Sequence, residues 1–269
     1  MFEILFSVLL LGTPTSAPDT VFQVRQGDEL VLRNFSGAVD VEVWDRDEVF
    51  ASADSEGSLT FRTARAGKEL VLEVLDRKRR NRTEDLYLRV PSWIDLDISG
   101  PKVDVEVRGL RSHVRIRALK GDLELADIAG TIEASTVEGS IDAVALEGYA
   151  RLKTGHDDIT VDECRADLVL ETVSGDISLS AVVAQDIEAR TTDGDVDFQG
   201  RFLPGGAYAF RSHGGELGLV LDPPVHADVT VLVYEGEFDS DFPIRTKSFH
   251  SGKDLQFTIG DGGSRVLLE

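Results

Sequence analysis

Cysteine is almost missing from this chain: Cys164 stands alone among 269 residues, so no internal disulfide and no cysteine-based zinc site can form. Cations are scarce as well. Twenty-eight Lys and Arg face 49 Asp and Glu, a net charge of −21 that repels polyanions and excludes DNA and RNA as partners. Aromatic residues make up only 7% of the chain. The histidines, His113, His156, His213, His226 and His250, are scattered without the i, i+4 spacing of a zinc helix or the frame of a serine triad. No run beyond the N-terminus approaches the roughly 20 apolar residues that span a bilayer, so no transmembrane segment is expected after the leader. What the chain does have is 42% apolar residues in regular alternation, enough to outweigh chain entropy and fold.

The N-terminus reads as an export signal over residues 1–17, with a short apolar run from Ile4 to Leu11 and small residues ending at Ala17. Glu3 and the lack of Lys or Arg before the run depart from the usual pattern, and no cysteine lies nearby for lipidation. The expected location is periplasmic, cell-surface or extracellular.

From Leu96 the sequence repeats with a period of 18, most visibly in STVEGSI (135–141), KTGHDDI (153–159) and ETVSGDI (171–177), continued by RTTDGDV (190–196). Apolar residues alternate within each unit and align between units. One column is Val105, Leu123, Ile141, Ile159 and Ile177; a second is Val107, Leu125, Ala143, Val161 and Leu179; a third is Leu110, Ile128, Leu146, Cys164 and Val182. A second strand gives Leu96, Val114, Ile132, Ala150 and Leu168, beside Ile98, Ile116, Ala134, Leu152 and Leu170. A single unit cannot bury its own apolar edge, whereas stacked units share one core. The fold class is therefore an all-β solenoid of two-strand coils, with seven coils from Leu96 to Val220 forming a rod on the order of 30 Å long. Cys164 falls in an apolar column and reads as core, and Thr136, Thr154, Thr172 and Thr191 form an inward column near a turn. Gly121, Gly130, Gly139, Gly148 and Gly175 mark the turns.

Residues 20–90 alternate without that register and are expected to form an irregular β cap on a solenoid of residues 91–269, closed at its far end by the stretch from Ala207. The phrases GDLEL, GTIEAST, ETVSGDISL and EGEFDSDFPI, with RNFSGAVDVEVWDRDEV (33–49), LYLRVP (86–91) and GKDLQFTIGDGGSRVLLE (252–269), resemble the bacterial "putative adhesin" domain family of unknown function over nearly the whole chain. The resemblance implies a β-solenoid of the cell envelope or exterior, with adhesion suggested by the name and no established catalytic residues. Similar proteins continue past the point equivalent to Leu268 into another T-x-S-G-x-I-x-L unit, so the final coil here is expected to be short or open.

The outward columns Asp104, Asp122, Ser140, Asp158, Asp176, Asp195 and Glu106, Glu124, Asp142, Thr160, Ser178, Asp197 carry nine acids and no base. The other strand presents Arg115, Glu133, Arg151, Val169, Glu188 beside Arg117, Ser135, Lys153, Glu171, Arg190, so the cross-section is electrically polarised. A solvated face that discourages edge pairing competes with recruitment of Ca²⁺ or a cationic surface; the absence of the nonapeptide G-G-x-G-x-D favours the former. His156, Asp157 and Asp158 read as a solvated turn, and the basic run RKRRNR (77–82) as a hairpin loop, with anionic envelope polymer or lipid as its other possible contact. Asn34 and Asn81 fit the glycosylation pattern, which matters only in a eukaryotic secretory route. Trp44 and Trp93 fall in or beside the cap, as core packing by default and as a sugar platform in the alternative.

No catalytic, cofactor or metal-ligand set emerges. Three classes remain: a binding or adhesion module for a protein or glycan surface ligand, a structural or envelope-stress scaffold, and a polysaccharide-processing β-helix enzyme. Charges spread at regular intervals favour the first two over the concave cluster an enzyme needs.

Overall fold

The computed structural model describes residues 19–33, 35–53, 59–76, 85–233, 237–242, 245–250 and 254–269. The expected export signal, the RKRRNR run and both glycosylation asparagines lie outside these residues.

Twenty-three strands form the described chain. The first are β1 (Asp19–Gln23), β2 (Glu29–Arg33), β3 (Ser36–Trp44), β4 (Glu48–Ala53), β5 (Leu59–Ala66), β6 (Glu69–Asp76) and β7 (Leu86–Pro91). Next come β8 (Asp95–Gly100), β9 (Lys102–Arg108), β10 (His113–Ala118), β11 (Leu123–Ala126), β12 (Ala129–Ser135), β13 (Ile141–Val144), β14 (Glu147–Lys153), β15 (Ile159–Asp162) and β16 (Arg165–Glu171). The long β17 (Ile177–Thr191) and β18 (Val196–Ser212) each bend round a corner, and β19 (Leu217–Leu221), β20 (Ala227–Leu232), β21 (Arg245–His250), β22 (Asp254–Ile259) and β23 (Ser264–Leu268) complete the fold.

Equivalent residues of successive repeats sit directly above one another. Leu123 pairs in parallel with Val105 on one side and Ile141 on the other, followed by Ile159, Ile177, Val196 and Leu217. The second face stacks Leu96, Val114, Ile132, Ala150, Leu168, Ile187 and Tyr208 in the same way. Both columns point into one continuous core, where Cys164 is fully buried and its thiol is pushed up by that burial. A thiol held protonated in an apolar column is a packing residue.

The turns explain the glycines. At Gly139 the backbone takes φ 139°, and a Cβ would lie 2.1 Å from the Gly121 carbonyl oxygen of the adjacent coil. Gly175 needs no unusual φ, but a Cβ there would come within 2.2 Å of the Asp157 carbonyl oxygen, so close stacking alone selects glycine. The threonine column satisfies the same turns: Thr136, Thr154, Thr172 and Thr191 donate their hydroxyls to the carbonyls of Gly121, Gly139, Asp157 and Gly175, at 2.8 to 3.1 Å.

Within the N-terminal region, four strands stack in parallel on the solenoid. Strand β2 pairs in parallel with β8 (Leu30 with Leu96) and β3 with β9 (Val39 with Val105), partners separated along the chain by much more than one repeat because β4 to β7 intervene. Strands β6 and β7 stack on the other side of β2 and β3, so two further rungs extend the seven that the repeat predicts. Antiparallel strands then close this end, β5 on β6 and β4 with β1 on β7. At the far end spatial order departs from chain order: β18 pairs with β23, which pairs with β20, followed by β22 and β21.

Candidate functional site

One of the two acidic columns turns out to be part of the scaffold. Asp104 accepts the backbone N–H of Asp122, Asp122 that of Ser140, Asp158 that of Asp176, Asp176 that of Asp195, and Asp195 that of Glu216, at 2.8 to 3.1 Å. Each carboxylate caps an N–H of the next coil, and among the described residues no three His, Cys, Asp or Glu side chains are grouped to hold a cation. His156, Asp157 and Asp158 are exposed in their turn, where Asp157 accepts the Gly139 N–H at 2.7 Å.

The opposite face carries ion pairs between rungs. Arg117 reaches both oxygens of Asp97 at 3.0 Å, Arg115 pairs with Glu133 at 3.1 Å, Lys153 with Glu171, and Arg190 with Glu171 at 2.9 Å. The Arg115 guanidinium holds the Glu133 carboxyl below its ordinary value. For Glu171, burial alone would raise the pKa, but Lys153 and Arg190 together outweigh it and lower it.

Along this face, toward the C-terminal end, the sheet opens into a groove of about 650 Å³. Its origin is the alternation Ala207-Tyr208-Ala209-Phe210 in β18. The two aromatics point inward, where Tyr208 stacks on Phe202 at 4.2 Å and its hydroxyl donates to the Ala184 carbonyl at 2.8 Å; Phe210 packs 5.2 Å from Phe198. The two alanines point outward and are the shortest side chains in their rows. On one side stand Asp186 and Glu188 of β17, in register with Ala207 and Ala209. On the other stand Arg265 and Leu267 of β23, in register with the same alanines. Short residues between longer ones leave a trough along β18, with Asp167, Val169 and Tyr149 beyond one wall and Asp228 and Thr230 beyond the other.

Several of its polar groups are already engaged. One Asp167 carboxylate oxygen accepts the N–H groups of Gln185 and Asp186, both at 3.1 Å, bracing the irregular bend of β17. Arg211 closes one end, bonded to Glu188 at 2.9 Å and to Glu269 at 3.1 Å. The sequence columns include Val169 and Glu188 but not Asp186, Ala207, Ala209, Arg265 or Leu267. The small-aromatic-small-aromatic pattern of 207–210 is the signal that marks the floor.

The tryptophans lie at the other end of the solenoid, lining a slot of about 160 Å³ with Asp45, Arg46, Asp47, Pro91 and Ser92. Arg46 sits 4.9 Å over the Trp44 ring, and the Trp44 indole N–H donates to the Glu48 carbonyl at 2.7 Å. Trp93 is half-buried against the core. Packing against the core accounts for Trp93, while Trp44 is held by Glu48, Arg46 and the Phe50 ring.

The sequence model of the family described as Toastrack DUF4097 matches residues 28–268. No curated protein matches the chain. Among solved structures, the chain is similar to a protein of Clostridium sporogenes ATCC 15579 titled a "putative cell adhesion protein", with 10% identity over 96% of this chain and 95% of that one and a TM-score of 0.21. An overlap that weak carries nothing about function.

Proposed function

We propose, from the premise that this chain belongs to the Toastrack DUF4097 family, that it is an exported, non-catalytic binding module of the bacterial cell envelope whose solenoid presents the β18 groove to a surface ligand. One observation carries this reading: an open trough, about 650 Å³ in volume, lies across strands that are hydrogen-bonded to one another and backed by an aromatic core. Volumes of this order accommodate small molecules or short polymer segments, and a floor on strands is held more rigidly than one on loops. The carboxylates of Asp167 and Glu188 are committed to bracing β17 and to Arg211, which suits recognition better than proton transfer. Among the described residues no helix is long and apolar enough to cross a membrane.

The test is adhesion of the fluorescently labelled protein to bacterial cells and to purified envelope polymers, comparing wild type with Ala209→Trp, which fills the groove from an outward-facing position. Saturable binding lost in the variant, with an unchanged circular dichroism spectrum, supports the assignment. Undiminished binding removes the groove from it, and turnover of a polysaccharide by the purified protein replaces it with an enzyme. Fractionation of producing cells checks the location, and an exclusively cytoplasmic protein would contradict export.

A further inference from the structure

We propose that the ligand of the β18 groove is a short peptide with a free ammonium group at one end and a free carboxylate at the other, an assignment that rests on the groove being the binding site. The two walls differ in charge. Asp167, Asp186 and Glu188 line the β16 and β17 side and carry only negative charge. The other side has Arg265 and Leu267 of β23 with Asp228 and Thr230 of β20 in register behind them, so that among the described residues Arg265 is its one cation and the residue nearer the floor. Within these walls Glu188 is bonded to Arg211, and Asp167 to backbone N–H groups. The Asp186 carboxylate and the Arg265 guanidinium are exposed, and neither takes part in a salt bridge or side-chain hydrogen bond among the described residues. They lie in one row, with Ala207 between them on the intervening strand, so their backbones are two rungs, or about 10 Å, apart.

An occupant of this row meets a negative group on one wall, a positive group on the other and a short aliphatic floor between. A neutral sugar leaves both charges unanswered. A plain anion is repelled by the acidic residues, and a plain cation leaves the Arg265 guanidinium unanswered. A zwitterion places its ammonium against Asp186 and its carboxylate against Arg265, where the planar guanidinium suits bidentate contact. The span selects the length: extended chain covers about 3.3–3.6 Å per residue, so two or three residues bring the termini about 7–10 Å apart. Ala207, Ala209 and Leu267 then favour small aliphatic side chains on the floor side.

Calorimetric titration of the full chain with trialanine, N-acetyl-trialanine and trialanine amide tests the assignment. Trialanine is expected to bind, and blocking either terminus to weaken binding on the order of tenfold. In Asp186→Asn, acetylation is expected to cost nothing further while amidation keeps its cost; in Arg265→Gln the pattern reverses. Both positions are exposed, and circular dichroism verifies folding. Absence of trialanine binding, or equal binding of the blocked peptides, overturns the proposal. If an oligosaccharide binds instead and Ala209→Trp abolishes that binding, the peptide assignment falls while the groove stands. If Ala209→Trp alters neither cell adhesion nor trialanine binding, both fall together.

Discussion

Four residues at one corner of successive coils, Asp127, Ala145, Glu163 and Ala181, hold φ between 52° and 55°, the left-handed region that a Cβ disfavours. The corresponding residue one coil earlier is Gly109, with φ 84°. A left-handed conformation costs an L-residue about 1–2 kcal/mol, and glycine returns about 0.5–1 kcal/mol of that through the greater backbone entropy it loses on folding. Ala145→Gly and Ala181→Gly are therefore each expected to stabilise the protein by about 0.5–1 kcal/mol. The positions are two rungs apart, so their effects should add to about 1–2 kcal/mol. At about 2–4 °C per kcal/mol for a domain of this size, the double variant melts about 2–8 °C higher. The reverse change supplies the control, because a Cβ on Gly109 meets Val43 at an ordinary 3.4 Å and introduces only the conformational cost. Thermal and urea denaturation followed by circular dichroism measure both. A double variant no more stable than wild type, together with an unaffected Gly109→Ala, would refute the strain argument.

Thr154→Val keeps the shape of a buried side chain but removes the donor 2.8 Å from the Gly139 carbonyl, and is expected to cost about 1–2 kcal/mol in urea denaturation; Thr154→Ser, which keeps the hydroxyl, should recover part of that loss. The ion-pair ladder contributes to the acid limb of stability. Because the Glu133 and Glu171 carboxyls are held below their ordinary value of 4.5, their contribution is complete above that pH and is lost as pH falls through the lower folded-state values. Melting temperature should stay level from neutrality to about pH 5 and fall below pH 4.5, with a shallower fall in Glu171→Gln; a fall of equal steepness in the variant would remove Glu171 from the account.

The sequence revealed the solenoid wherever neighbours in space are one repeat apart, because Ile141, Ile159 and Ile177 place one chemical demand at one interval. It hid the rung formed by β2 and β3, whose partners β8 and β9 come only after β4 to β7, and the terminal pairing of β18 with β23, separated from it by β19 to β22. Periodicity detects only partners at a fixed spacing. The charges of the two faces could be read from the columns, but their use could not: Asp122 shows as an acid in the sequence, while its bond to the Ser140 N–H depends on coil stacking. The groove was less legible still, since Asp186, Ala207 and Arg265 come from three strands and only their juxtaposition makes a trough.

The mismatch between chain order and spatial order bears on how the protein emerges during synthesis. Strands β2 and β3 are made early, yet their partners on both sides, β6 with β8 and β7 with β9, follow them from the ribosome. A nascent chain that has reached only Trp44 thus has an incomplete rung, and β18 likewise waits for β23 among the last residues to appear. Both ends of the stack are finished by latecomers, so a truncated product would leave its far end unsealed, and a chaperone that shields the early strands would act before the first rung can close.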